Sequence, residues 1–231
     1  MNRTLDVATS FAATLASLAG GLTVGPLGPR PEKPLELYEF ERCPFCRKVR
    51  EALTILDLDA IIYPCPSGGP RFRKVVEQRG GKAQFPYLVD PNTGREMYES
   101  DAIIHYLSEQ YGTGKVPTLL ALGPLTMARA ASSSLWRLHR GRVYRTARAP
   151  EKPLELYSFE ASPFCRIVRE ELCELEIPYL LHNVGKKSPK REAFVARGGK
   201  MQVPWLHDPN TDRSLYESAD IVAYLNATYA A

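Results

Sequence analysis

Apolar and polar positions alternate through Leu35-Glu36-Leu37-Tyr38, the two-residue period of a half-buried strand. A proline-containing turn follows, and then Val49, Leu53 and Leu56 recur at the spacing of one helix face. Ala60-Ile61-Ile62-Tyr63 predicts a second strand, parallel to the first because a helix separates the two. Arg71 to Gln78 predicts a short helix that stops at Gly80-Gly81. Pro86-Tyr87-Leu88-Val89, the turn DPNTG and Glu96-Met97-Tyr98 predict a hairpin. A last helix starts at Ser100-Asp101 and carries Ile103, Ile104 and Leu107. The order is βαβ-α-ββ-α.

That order is written twice. PEKPLELY at 31–38 returns at 150–157, and 17 of the 21 residues of 31–51 are identical in 150–170. FPYLVDPNTGREMYESDAI (85–103) returns as VPWLHDPNTDRSLYESADI (203–221). A period near 119 residues is far longer than a solenoid unit, so each copy reads as a domain. The domains are 33–112 and 152–231, with an N-terminal helix and linker at 1–32 and a connector at 113–151. The 231 residues are 44% hydrophobic and 24% charged, which supplies real cores and excludes a mostly disordered chain. No apolar run approaches the roughly 18 residues of a membrane span. Five cysteines are too few and too odd in number for a secreted disulfide framework, so a reducing compartment is expected.

Cys43-Pro44-Phe45-Cys46 sits at the first strand-to-helix junction, and a proline opens the third strand. Both features, with the element order, resemble the thioredoxin fold. The set CPFC, [FV]P and YES resembles more specifically the glutaredoxin-like N-terminal domain of glutathione transferases. Duplicated, it is similar to the tandem-N-domain, glutathione-transferase-like proteins of photosynthetic organisms. The resemblance covers both copies, about 160 of 231 residues. It implies an α/β protein of two tandem thioredoxin-like domains joined by a helical basic connector, with glutathione as ligand and a chloroplast location.

In the first copy the helix N-terminus stabilises a thiolate, which makes Cys43 the exposed nucleophile and Cys46 a candidate resolving thiol. Arg42 and Arg47 flank the motif and add positive potential. The resemblance implies a cis Phe85-Pro86 that pairs with the cysteinyl backbone of glutathione. It also implies Glu99 and Ser100 at the γ-glutamyl end, with Lys82 and Gln84 toward the glycyl carboxylate. Cys65 follows the second strand and reads as a passive loop thiol more readily than a third redox group. In the second copy Ser162 replaces the nucleophile, while Lys200, Gln202, Val203, Pro204, Glu217 and Ser218 keep the pattern. A glutathione site without a reactive protein thiol and a degenerate scaffold copy both fit. About 40 residues separate the copies, and the chain stops after the second. No counterpart of the large helical domain of full transferases is therefore expected, and with it no conventional electrophile pocket in either half.

These residues frame a glutathione-dependent thiol transferase or oxidoreductase acting on glutathionylated or disulfide substrates. The alternatives are a non-catalytic glutathione-binding scaffold and a [2Fe–2S] protein with Cys43 as cluster ligand between two chains. No resident metal site is expected, because the four histidines are isolated, and monomer and homodimer both fit. The net charge of +4 is uneven: residues 111–149 hold seven Lys or Arg and no acid, leaving −3 elsewhere. A helix is expected over Thr126 to Leu138. Leu135, Trp136, Val143 and Tyr144 interleave with arginines, so 129–148 is a candidate for an anionic membrane face or an acidic partner. The simpler expectation is a basic linker packed between acidic domain faces. No nucleic-acid motif is present, and no nucleic-acid partner is expected. Val7, Phe11, Leu15 and Leu18 form one apolar face of an N-terminal helix that is expected to dock on the first copy.

Overall fold

The computed structural model describes residues 3–135, 137 and 140–231. Trp136 and His139 lie outside the described residues, as does the side chain of Leu135. The first copy runs β1 (Leu35–Glu39), α2 (Pro44–Ile55), β2 (Ala60–Pro64), α3 (Phe72–Gly80), β3 (Tyr87–Asp90), β4 (Arg95–Met97) and α4 (Ser100–Tyr111). The second repeats it as β5 (Leu154–Ser158), α6 (Pro163–Glu174), β6 (Tyr179–Asn183), α7 (Arg191–Gly198), β7 (Trp205–Asp208), β8 (Arg213–Tyr216) and α8 (Ser218–Tyr229). α1 (Arg3–Ala16) precedes the first copy, and α5 (Pro124–Leu135) lies in the connector. Each copy is a four-stranded thioredoxin-like unit, as the pattern predicts, with β1 parallel to β2 and β3 antiparallel to β1.

The two units do not hang as beads. Strands β2 and β6 pair antiparallel, Ile61 opposite Leu180, and join eight strands in the order β4-β3-β1-β2-β6-β5-β7-β8. Each unit leaves one apolar edge strand unpaired, and pairing the two edges satisfies both rows of backbone groups. One hydrophobic core then runs across the seam, from Leu35, Leu53 and Ile103 to Leu154, Leu172 and Leu225. Smaller aromatic clusters pack on the α3 and α7 side, Tyr38 and Tyr87 in one and Tyr157 and Trp205 in the other. Because β2 and β6 are antiparallel, β1 and β5 also run in opposite directions.

Above the seam α2 and α6 share a buried ion network. Arg50 Nε donates to Glu160 Oε2 at 3.0 Å, and Arg50 also pairs with Glu39. Arg169 holds both oxygens of Glu41 at 3.0 Å and reaches Glu160 at 2.9 Å. The connector arginines belong to the same network. Arg129 clamps Glu51, Arg137 clamps Glu170, and Arg140 and Arg145 meet Glu171 and Glu174. The basic connector is thus a linker packed on acidic helices. Arg129 and Arg137 are buried, so they are not cations available to a membrane.

Glu39 is 1% exposed, and burial pushes its carboxyl up to about 7 against the pull of Arg50. A folded-state value above the ordinary 4.5 contributes stability that is full at low pH and lost as pH rises through about 7. The urea midpoint is expected to fall between pH 5 and pH 8, and Glu39→Gln is expected to flatten that fall. An unchanged pH slope in the variant counts against the assignment.

The N-terminal helix departs from expectation. It packs mainly on α5 and on α6 of the second copy rather than on the first copy. Its buried face is the small set Ser10, Ala13 and Thr14, which lets the helices approach closely. Ser10 Oγ donates to the Pro163 carbonyl at 2.7 Å, and Phe11 meets Phe164 edge-on at 5.6 Å. Leu15 and Leu18, read as a docking face, are 73% and 69% exposed.

Candidate functional site

Cys43 is the N-cap of α2, with extended backbone (φ −68°, ψ 122°) and Pro44 opening the helix. Its Sγ accepts from the Cys46 amide at 3.3 Å. A Cys46 side-chain hydrogen bond does most to hold the Cys43 thiol below its ordinary value, against the opposing effect of burial; the amides of Cys46 and Phe45 help, while the Glu39 charge raises it. Arg47, read as part of the positive field, turns into the seam and donates to Glu51 and to Ser17. Cys46 is fully buried, and burial pushes its thiol well above the ordinary range. Cys43 is itself 4% exposed, so it is shallowly covered rather than the open member of the pair. Cys65 is buried, and burial raises its thiol too, which makes it inert. All five cysteines are free.

Phe85-Pro86 and Val203-Pro204 are both cis. Phe85 is brought to the CPFC loop, its ring edge-on to Phe40 at 6.2 Å, with the Arg73 guanidinium 4.7 Å above it. Glu99 caps α4 at φ 68°, a left-handed conformation that is costly for a residue with a side chain. It makes no side-chain cap bond, so it is not an ordinary N-cap. Instead its carboxylate accepts from Gln84 Nε2 at 2.5 Å, which joins two of the predicted residues. Ser100 is buried in the first turn. The Lys82 ammonium lies over the Tyr98 ring at 4.8 Å.

Tyr98 is a positioning residue the motif reading passed over. Its hydroxyl donates to the Lys82 carbonyl at 2.7 Å and pins the loop. A Cβ on Gly80 would lie 2.1 Å from that hydroxyl, which explains the first glycine of the pair. Gly81, at φ 80°, ends α3. The signal was present in the sequence as the recurrence of GG and YES at matched positions.

The second copy repeats this geometry. Ser162 caps α6 and accepts from the Cys165 amide at 3.2 Å, Glu217 sits at φ 64° and takes Gln202 Nε2 at 2.5 Å, and Lys200 lies 4.4 Å over Tyr216. Ser218 is buried in the first turn of α8. The second copy also carries an apolar depression at its surface. A cavity of about 420 Å³ adjoins Ser162 and Val203, walled by Phe11 and Leu15 of α1, by Leu22, and by Phe159 and Phe164. The N-terminal helix supplies a wall that sequence periodicity had assigned elsewhere.

The profile of the glutathione S-transferase N-terminal domain matches residues 37–115 and 156–231, once per copy. The chain belongs to that family, and glutathione is the ligand the family implies. A glutathione S-transferase-like protein, tpcF of Aspergillus fumigatus, is 38% identical over 58 residues. That match spans 25% of this chain and 26% of the relative. Among solved structures, the trimeric glutathione transferase TDR1 of Leishmania aligns with a TM-score of 0.30 at 15% identity, over 84% of this chain and 68% of its own.

Proposed function

We propose that the first copy is a glutathione-dependent thiol transferase with Cys43 as its one reactive sulfur. The observation that carries this reading is the Cys43 Sγ held at the N-terminus of α2 by the Cys46 amide, its thiol lowered while the thiols of Cys46, Cys65, Cys165 and Cys173 are raised. The Cys43 thiolate attacks the glutathione sulfur of a mixed disulfide. A sulfur–sulfur bond to Cys43 forms, the substrate's bond to that sulfur breaks, and the substrate leaves as a thiolate that takes a proton from water. A free glutathione thiolate then attacks the same glutathione sulfur, giving oxidised glutathione and returning Cys43 as thiolate. Glutathione is the better resolving thiol, because the raised, buried Cys46 is scarcely ionised. Gln84, Glu99 and Ser100 bind the glutathione in this reading, with the Phe85-Pro86 backbone beside it.

A second reading applies to the second copy, on the strength of the apolar cavity beside Ser162. There a serine hydroxyl donates to a bound glutathione thiolate and an apolar electrophile occupies the cavity. The test is calorimetric titration with glutathione. Two sites are expected in the wild type, with Glu99→Ala and Glu217→Ala each removing one. A single site untouched by Glu99→Ala overturns the first-copy assignment. Conjugation of chlorodinitrobenzene, lost in Ser162→Ala but kept in Cys43→Ser, is the result expected of the second reading.

A further inference from the structure

The seam network is almost, but not fully, symmetric. Arg47 and Arg166 occupy matching positions, as do Arg50 and Arg169, Glu41 and Glu160, and Glu51 and Glu170. Position 39 is a glutamate in the first copy, and its counterpart 158 is a serine. In the first copy Arg50 takes Glu39 and shares Glu160, which leaves Glu160 and Glu51 within reach of Arg47. In the second, Arg169 has no acid on its own strand and closes on both oxygens of Glu41. Arg137 closes on Glu170. Both acids that should serve Arg166 are thereby engaged by other arginines.

Arg166 is 2% exposed, and its Nε, Nη1 and Nη2 all lack a hydrogen-bond partner among the described residues. Burial, then the charge of Arg47, drives its guanidinium down to about 9. A buried cation with no partner is costly, and native interiors rarely leave one so. The guanidinium lines a small cavity at the seam with Arg42, Arg47, Arg137 and Arg140, opposed by Glu41 and Glu170. Five arginines and two carboxylates surround a space of about 10 Å³, enough for one water-sized occupant.

We propose that this cavity is a binding site for one monovalent anion of halide size, held by Arg166 at the junction of the two copies. A water molecule can accept from the guanidinium but cannot balance its charge. The second charge of a phosphate or sulfate would face Glu41 and Glu170. Chloride satisfies both conditions, and its site draws on α6 of one copy and on the loop before α2 of the other. Occupancy therefore stabilises the joined state of the two copies rather than either site of thiol chemistry.

The test uses the full chain and sodium chloride against sodium gluconate, at constant sodium and ionic strength. Chloride is expected to raise Tm by about 4 °C, saturating with concentration as a bound ligand does. Arg166→Met is expected to abolish the chloride dependence. Crystals soaked in bromide should show an anomalous peak at the cavity, a readout that stands even if the variant fails to fold. Equal Tm in the two salts with no bromide peak means that the cavity holds water, and the proposal falls. Equal stabilisation by phosphate also overturns it, because the site would then be an oxyanion site of another shape.

Discussion

Replacing Cys43 with serine is expected to remove reduction of a small glutathionylated disulfide, with a loss of roughly three orders of magnitude. Serine keeps the N-cap geometry, since Ser162 already makes the same bond to Cys165 in the second copy. The fold should therefore survive, and the loss should be chemical. Cys46→Ser is expected to keep most of the rate: glutathione resolves the intermediate, a serine hydroxyl can take over the side-chain hydrogen bond to the Cys43 sulfur, and the residue 46 amide is retained. The wild-type rate should climb with the Cys43 thiolate and level off below pH 9, the ordinary thiol value. A steady-state assay with excess glutathione decides the matter. Full activity in Cys43→Ser refutes the nucleophile, and equal loss in Cys46→Ser makes the pair a dithiol centre.

The largest effect on stability is expected at Glu160. Its carboxylate lies within ion-pair distance of Arg47, Arg50 and Arg169, at 3.3, 3.0 and 2.9 Å, and all four groups are buried. Glu160→Ala leaves three guanidiniums facing one another, a change that costs about 4 kcal/mol and lowers Tm by roughly 10 °C. The exposed pair Arg79–Glu96 provides the contrast, with both side chains 36% accessible. Arg79→Ala, which leaves the buried Tyr87 hydroxyl its Glu96 acceptor, is expected to cost less than about 1 kcal/mol. Urea unfolding of both variants is the measurement. Similar losses would mean that the seam network carries no special weight.

Local pattern made most of the fold legible. Alternation at Leu35–Tyr38, helical spacing from Val49, and the DPNTG turn each specify their own element without help from distant contacts. The repeat made the doubling plain. What could not be read was the β2–β6 junction, because Ala60–Tyr63 looks equally like a central strand and like an edge that pairs with another copy. The site divided in the same way. CPFC and the two X-Pro steps advertise themselves through a helix start and a strand start. The grip of Gln84 on Glu99 and the Tyr98 hydroxyl on the Lys82 carbonyl depend on loops folding back. The N-terminal helix misled for a physical reason: its apolar stripe suggested the contact, whereas close helix packing selected the small residues Ser10, Ala13 and Thr14. The arginine-rich connector misled less, since a charged run far from its acids in sequence can still meet them in space.

The opposed directions of β1 and β5 set how the two halves work together. Cys43 stands beyond the end of β1 and Ser162 beyond the end of β5, on strands that point opposite ways. If the proposed function holds, the two grooves are stations that face opposed ways on one continuous sheet.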